Sequence, residues 1–159
     1  MKVLVANPEK CTNCQLCMLA CSFNKTSEFN PFRARLSIVG VPEDGFVQVV
    51  CRQCLKPSCR EVCPVDAIDR DQNTGAMIID YDLCIGCREC VDACPLGGMA
   101  IDPVDESVIK CDLCGGDPQC VKHCSYDALS YQDAFLYANE KRVPVAIKMA
   151  KEIEKQQAS

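Results

Sequence analysis

Apolar positions along the chain fall into short alternating runs separated by turn residues, a pattern of many small strands. Met1-Lys2-Val3-Leu4-Val5 begins like a strand. Arg33 to Val39 and Gly45 to Val50 alternate around Pro42-Glu43-Asp44-Gly45, which predicts a hairpin. Ala67-Ile68-Asp69 and Ala76 to Ile79 flank the turn residues Asn73-Thr74-Gly75. Met99-Ala100-Ile101 and Ser107-Val108-Ile109 flank a polar turn with Pro103. The C-terminal stretch has a different period. Ser130 with Asp133 reads as a capping box for a helix over Gln132 to Tyr137. Pro144 suits the first turn of a second helix. Val145, Met149 and Ile153 lie four apart on one face, which either packs on its own domain or docks a partner.

Cysteine changes this picture. The 159 residues include 16 cysteines in four quartets. Quartet I is Cys11, Cys14, Cys17 and Cys21; quartet II is Cys51, Cys54, Cys59 and Cys63. Quartet III is Cys84, Cys87, Cys90 and Cys94; quartet IV is Cys111, Cys114, Cys120 and Cys124. Each repeats C-x2-C-xn-C-x3-C, an internal repeat that decides the architecture. The final x3 step fits one helical turn, so the unit reads as loop, short helix, strand, turn, strand.

A short secreted chain this rich in cysteine would be a disulfide scaffold. Here Met1 to Val5 has no basic segment followed by a long apolar run, and no stretch approaches the roughly 20 apolar residues that cross a bilayer. A cytoplasmic chain is expected, and thiols in a reducing compartment point to metal. The formal charge of -5 counts those thiols as neutral. Sixteen thiolates around four cluster cores would bring it to about -13. That surface disfavours nucleic acid and suits a partner with a positive rim.

In two-cluster ferredoxins the run C-x2-C-x2-C-x3-C-P gives three ligands to one [4Fe–4S] cluster and its fourth to the other. Quartet III is that run, Cys84 to Cys94 followed by Pro95, and quartet II closes the same way at Cys63-Pro64. Four [4Fe–4S] clusters are therefore expected. The rival is four zinc sites in an interaction module. Zinc sites usually join two knuckles across a longer loop, whereas every quartet here is compact and ends in x3-C.

Spacing alone leaves the pairing of quartets open. The residue after the fourth cysteine is proline in II and III (Pro64, Pro95) and serine in I and IV (Ser22, Ser125). The widened gaps fall in II and IV, one in each pair, which suggests II nested with III inside I with IV. An α+β fold follows: two ferredoxin-like dicluster halves related by pseudo-twofold symmetry, and a helical tail. The polyferredoxin domain would cover residues 1–129, with the inner half at about 49–102, and the tail residues 130–159.

Val49 to Cys54, Cys63-Pro64-Val65-Asp66-Ala67-Ile68 and Asp82 to Cys87 resemble the four-cluster electron-transfer subunits of molybdenum and tungsten pterin enzymes. That family includes partners of formate dehydrogenase, dimethyl sulfoxide reductase and nitrate reductase. Lys110 to Cys120 is most similar to the small subunits of tungsten aldehyde oxidoreductases, and benzoyl-coenzyme A reductase uses a similar subunit. The resemblance covers residues 1 to about 130. It implies ligand sets Cys11, Cys14, Cys17 and Cys124; Cys21, Cys111, Cys114 and Cys120; Cys51, Cys54, Cys59 and Cys94; and Cys63, Cys84, Cys87 and Cys90. Two features depart from the family. Cys124 is followed by Ser125 where many relatives have proline, and the long insertions and membrane anchor of respiratory relatives are missing, which argues for a soluble complex.

Other residues add little chemistry. His123 sits beside a ligand, but the cysteines already complete the ligand count. Phe46, Tyr81 and Tyr126 are read as cluster shields, and Arg52, Lys56, Arg60 and Arg88 as charge compensation or a docking rim. No phosphate loop and no nucleophile–base pair occurs, so no catalytic residue is expected. The expected role is a non-catalytic electron-transfer subunit between a pterin-containing catalytic subunit and a flavin subunit or ferredoxin. The alternative partners are a hydrogenase, a formate dehydrogenase or a carbon monoxide dehydrogenase. The tail could also join copies head to tail.

Overall fold

The computed structural model describes residues 2–43 and 45–157. Met1 of the first expected strand, Asp44 of the 42–45 turn and residues 158–159 of the tail lie outside the described residues. Strand β1 (Lys2–Ala6) leads through a 3-10 turn at Pro8–Lys10 to helix α1 (Leu16–Thr26). A 3-10 turn at Pro31–Arg33 precedes β2 (Leu36–Val41) and β3 (Gly45–Val50). Then come α2 (Ser58–Glu61), β4 (Ile68–Arg70) and β5 (Met77–Ile79). The unit repeats as α3 (Glu89–Asp92), β6 (Met99–Ile101) and β7 (Val108–Lys110). A 3-10 segment at Leu113–Gly116, α4 (Gln119–Lys122), β8 (Leu129–Asp133) and α5 (Ala134–Gln157) complete the chain.

Among the described residues the strands make four two-stranded antiparallel sheets. Three are local hairpins: β2 with β3, β4 with β5 and β6 with β7. The fourth joins the ends of the chain, pairing Lys2 with Asp133 through to Ala6 with Leu129. Asn7 N–H extends that ladder to Ala128 C=O at 2.8 Å. This pairing stands just before Cys11 and just after Cys124, so it brings quartet I beside quartet IV. The small core is split accordingly. Leu4, Ala34, Leu36, Val50, Leu113 and Leu129 pack with Cys17, Cys21, Cys111 and Cys120. Ile68, Met77, Met99 and Val108 pack with Cys90, against Cys59, Cys63 and Cys94.

Three local expectations are corrected. Arg33 is not in a strand; it lies in the 3-10 turn, where its buried guanidinium bonds Asp102 at 2.9 and 3.0 Å and also reaches Glu28 and Asp105. Ser130 and Gln132 lie in β8, opposite Val5 and Val3, and not in a capping box and helix. The helix instead begins after Asp133, whose Oδ1 accepts from the N–H groups of Phe135 (2.8 Å) and Leu136 (3.3 Å). Pro144 lies inside α5 rather than starting a second helix. Its missing N–H leaves Glu140 C=O without the usual donor, and on an exposed helix water can take that place.

The helix that carries Cys17 and Cys21 of quartet I runs for three turns, whereas α2, α3 and α4 are single turns. In quartets II and III the residue after the fourth cysteine limits the helix, whereas α4 is short although Ser125 follows its quartet. Proline at 64 and 95 cannot sit in a helix interior. Ser22 can: it is fully buried, donates to Leu19 C=O at 3.0 Å and accepts from Asn30 N–H at 3.3 Å. Among the described residues no helix is long and apolar enough to cross a membrane.

Candidate metal centres

Three cavities are each lined by four cysteines. Cys11, Cys14 and Cys17 share one with Cys124. Cys51, Cys54 and Cys59 share one with Cys94, and Cys84, Cys87 and Cys90 share one with Cys63. Cys21, Cys111, Cys114 and Cys120 are also neighbours: burial pushes the Cys120 thiol up, and nearby Cys111, Cys21 and Cys114 raise it further. In each set a C-x2-C-xn-C loop gives three thiols and the helical turn of another quartet gives the fourth. Loop backbone turns to admit this. Asn13, Gln15, Gln53, Arg88, Leu113 and Cys114 all have positive φ, which curls the chain around the cavity.

The fourth cysteines share a device that the sequence analysis missed. Ala67 N–H donates to Cys63 Sγ at 3.3 Å, Gly98 N–H to Cys94 Sγ at 3.2 Å and Ala128 N–H to Cys124 Sγ at 3.2 Å. In each case the donor is four residues on, after a residue with positive φ at Asp66, Gly97 or Asp127. Cys21 departs, because α1 continues past it; its Sγ accepts from Arg35 N–H at 3.3 Å. The signal was a small residue four positions after the cysteine. At Gly98 smallness is required, since a Cβ there would lie 2.7 Å from Cys51 Cα.

Burial pushes the Cys111 thiol up to about 12, and the Cys17 and Cys90 thiols up to about 11. Neighbouring thiolates add to this; Cys124 does so at Cys17. Such a crowd of thiolates is favourable only around bound cations, and an iron–sulfur core supplies them. Lys110 opposes the repulsion from within. It is 2% exposed, and its ammonium donates to Cys111 C=O at 2.7 Å and to Met77 C=O. Gln53 holds the same two residues, donating to Cys111 C=O at 2.9 Å and accepting from Met77 N–H at 2.7 Å. Together they tie Met77 of β5 to Cys111.

Of the secondary candidates, Tyr126 lines the Cys11 cavity, Arg52 and Lys56 line the Cys51 cavity, and Arg88 lines the Cys84 cavity. Arg60 is on the surface, paired with Asp69 at 3.1 Å. Tyr81 donates to Val108 C=O at 3.1 Å beside a polar cleft, and Phe46 sits against Gly40; neither lines any of the three cysteine cavities. His123 is exposed, with Nδ1 2.9 Å from Gln119 O.

Residues 42–134 match a family of 4Fe-4S dicluster domains, and residues 8–24 match a 4Fe-4S binding domain. The chain is 36% identical over 129 residues to the polyferredoxin-like subunit of an aliphatic sulfonate oxidoreductase from Pyrococcus furiosus, covering 79% of this chain and 75% of that one. It is 37% identical over 128 residues to the beta subunit of an NADH-dependent phenylglyoxylate dehydrogenase from Aromatoleum evansii, covering 79% of this chain but only 29% of that longer subunit. Its fold resembles a chain of the BamBC active-site complex of benzoyl coenzyme A reductase, with a TM-score of 0.50, 23% identity and 97% of each chain covered. These matches set the zinc module aside. The chain belongs to the 4Fe-4S dicluster domain family, as a non-catalytic electron-transfer protein that binds multiple [4Fe–4S] clusters.

Proposed function

We propose that the chain is the four-cluster electron-transfer subunit of a tungsten or molybdenum pterin oxidoreductase, most like an aldehyde oxidoreductase, with a flavin subunit or ferredoxin as the second redox partner. The carrying observation is the grouping of all sixteen cysteines into four sets of four, each drawn from two quartets. The ligands are Cys11, Cys14, Cys17 and Cys124; Cys21, Cys111, Cys114 and Cys120; Cys51, Cys54, Cys59 and Cys94; and Cys63, Cys84, Cys87 and Cys90. When bound, the clusters supply one-electron chemistry that needs no substrate site.

The thiols also give an order. Cys17 influences Cys120, Cys51 influences Cys111, and Cys59 influences Cys90. Each link joins neighbouring sets, so the sites follow one another from the Cys11 set through the Cys21 and Cys51 sets to the Cys84 set. Tungsten aldehyde chemistry is supported by the Lys110 to Cys120 motif, and the Pyrococcus relative is likewise named as an oxidoreductase subunit.

Two measurements test this reading. Iron and acid-labile sulfide are expected at about sixteen each per chain; saturation at eight would remove two of the four sites. Purification of the native complex is expected to yield a large subunit carrying pterin-bound tungsten or molybdenum. A hydrogenase or carbon monoxide dehydrogenase subunit in its place would overturn the assignment of partner.

The tail supports contact between copies of the subunit. Val145, Met149 and Ile153 of α5 are all exposed rather than packed on their own domain. We assign this face to a second copy of the chain. Deleting residues 143–159 is expected to reduce the size of the native complex in sedimentation while iron content stays unchanged. A single copy, unaffected by the deletion, would refute the contact.

A further inference from the structure

Gln48 breaks the pattern of its strand. In β3 the inward positions are 48 and 50, and Val50 takes the expected apolar role. Gln48 is 6% exposed, and neither its Nε2 nor its Oε1 has a hydrogen-bond partner. These are the only such buried side-chain atoms among the described residues. A buried amide without partners is costly, so native chains rarely keep one without use. Gln48 and its cross-strand neighbour Ile38 line the cavity shared by Cys11, Cys14, Cys17 and Cys124. Lys10, Thr12 and Tyr126 also line that wall beside Ile38, Ala128 and Leu129, but none of them bonds the carboxamide, and the four cysteine sulfurs are the acceptors gathered there. Gln53 provides the contrast: its amide is committed to backbone groups of Cys111 and Met77.

We infer that the Gln48 carboxamide N–H donates a hydrogen bond to a sulfur of the cluster held by Cys11, Cys14, Cys17 and Cys124, and thereby raises the reduction potential of that cluster above its value in an apolar pocket. The inference rests on that ligand set. A donor to sulfur stabilises the reduced state more, because the added electron increases negative charge on the sulfurs. Gln48 would tune the terminal site of the series in this way, with no bond made or broken.

The test is an EPR-monitored redox titration of the cluster-loaded Gln48→Met protein, which keeps side-chain length and loses the donor. One midpoint is expected to fall so that the oxidised-to-reduced ratio at fixed potential rises about tenfold, or ~59 mV for one electron. The affected signal should be the one that Cys17→Ser removes. Four unchanged midpoints at full iron content would overturn the hydrogen bond. A shift in a signal that survives Cys17→Ser would instead overturn the ligand set. If Gln48→Met does not load, the wild-type protein labelled with 15N in its glutamine side chains serves. A 15N coupling to the Cys17-dependent signal is expected in ENDOR, and its absence would refute the contact.

Discussion

Cys94→Ser is expected to damage the site of quartet II and to spare that of quartet III, although Cys94 belongs to quartet III in sequence. Its thiol lines the cavity of Cys51, Cys54 and Cys59, and the Gly98 N–H donor holds it there at 3.2 Å. A serine oxygen is a poorer iron ligand than a thiolate, so iron should fall by up to about a quarter. Pairwise variants identify the site without assigning spectra. Cys94→Ser combined with Cys54→Ser should lose no more than one cluster, because both changes strike one site. Cys94→Ser combined with Cys87→Ser should lose two. Independent sites add and shared ones do not. Loss of two clusters in the first pair and one in the second would reverse the exchange of ligands and sink the nested sets.

The quartets and their closing x3 steps were legible in the sequence because they depend on local spacing. Three residues between cysteines make one helical turn, and the turn aims the second thiol away from the first. The three local hairpins were legible for the same reason: alternation and turn residues are short-range signals. What escaped depends on distant partners. Ser130 to Asp133 carries helix-start residues, yet β1 arrives from the other end of the chain and pairs with it as strand. Arg33 alternates like a strand residue, but Asp102 and Asp105 fix it in a turn. Ser22 marks the pairing of quartets in the sequence, and in the structure it is a buried residue inside α1. Gln48 was passed over because one polar residue in a strand is unremarkable until both of its polar atoms prove buried. The assignment of His123 to a non-ligand role followed from counting alone, and the side chain is exposed.

Lys110→Met is expected to weaken the protein and to lower the potentials of two sites together. The ammonium is buried at the seam, where it satisfies Met77 C=O and Cys111 C=O. Met has similar length and no donor. Met77 C=O loses its side-chain partner, while Cys111 C=O keeps only Gln53 at 2.9 Å. A buried polar group left unsatisfied costs about 1–3 kcal/mol. Cofactor loss makes unfolding irreversible, so the measurement is a rate. Bleaching of the visible absorption in guanidinium should accelerate about ten- to a hundredfold if that cost is relieved in the transition state. Electrostatics gives an independent readout. At Cys59, burial and Cys51 raise the thiol while Lys110 lowers it; at Cys111, burial raises it while Leu113 N–H and Lys110 lower it. The same charge favours the extra electron of a reduced cluster, so its removal should lower the midpoints of the Cys51 and Cys21 sets. The Cys84 and Cys11 sets lie further along the series and should move less. A uniform shift of all four midpoints would point to a general loosening of the fold, and unchanged midpoints with faster bleaching would leave Lys110 as a structural tie alone.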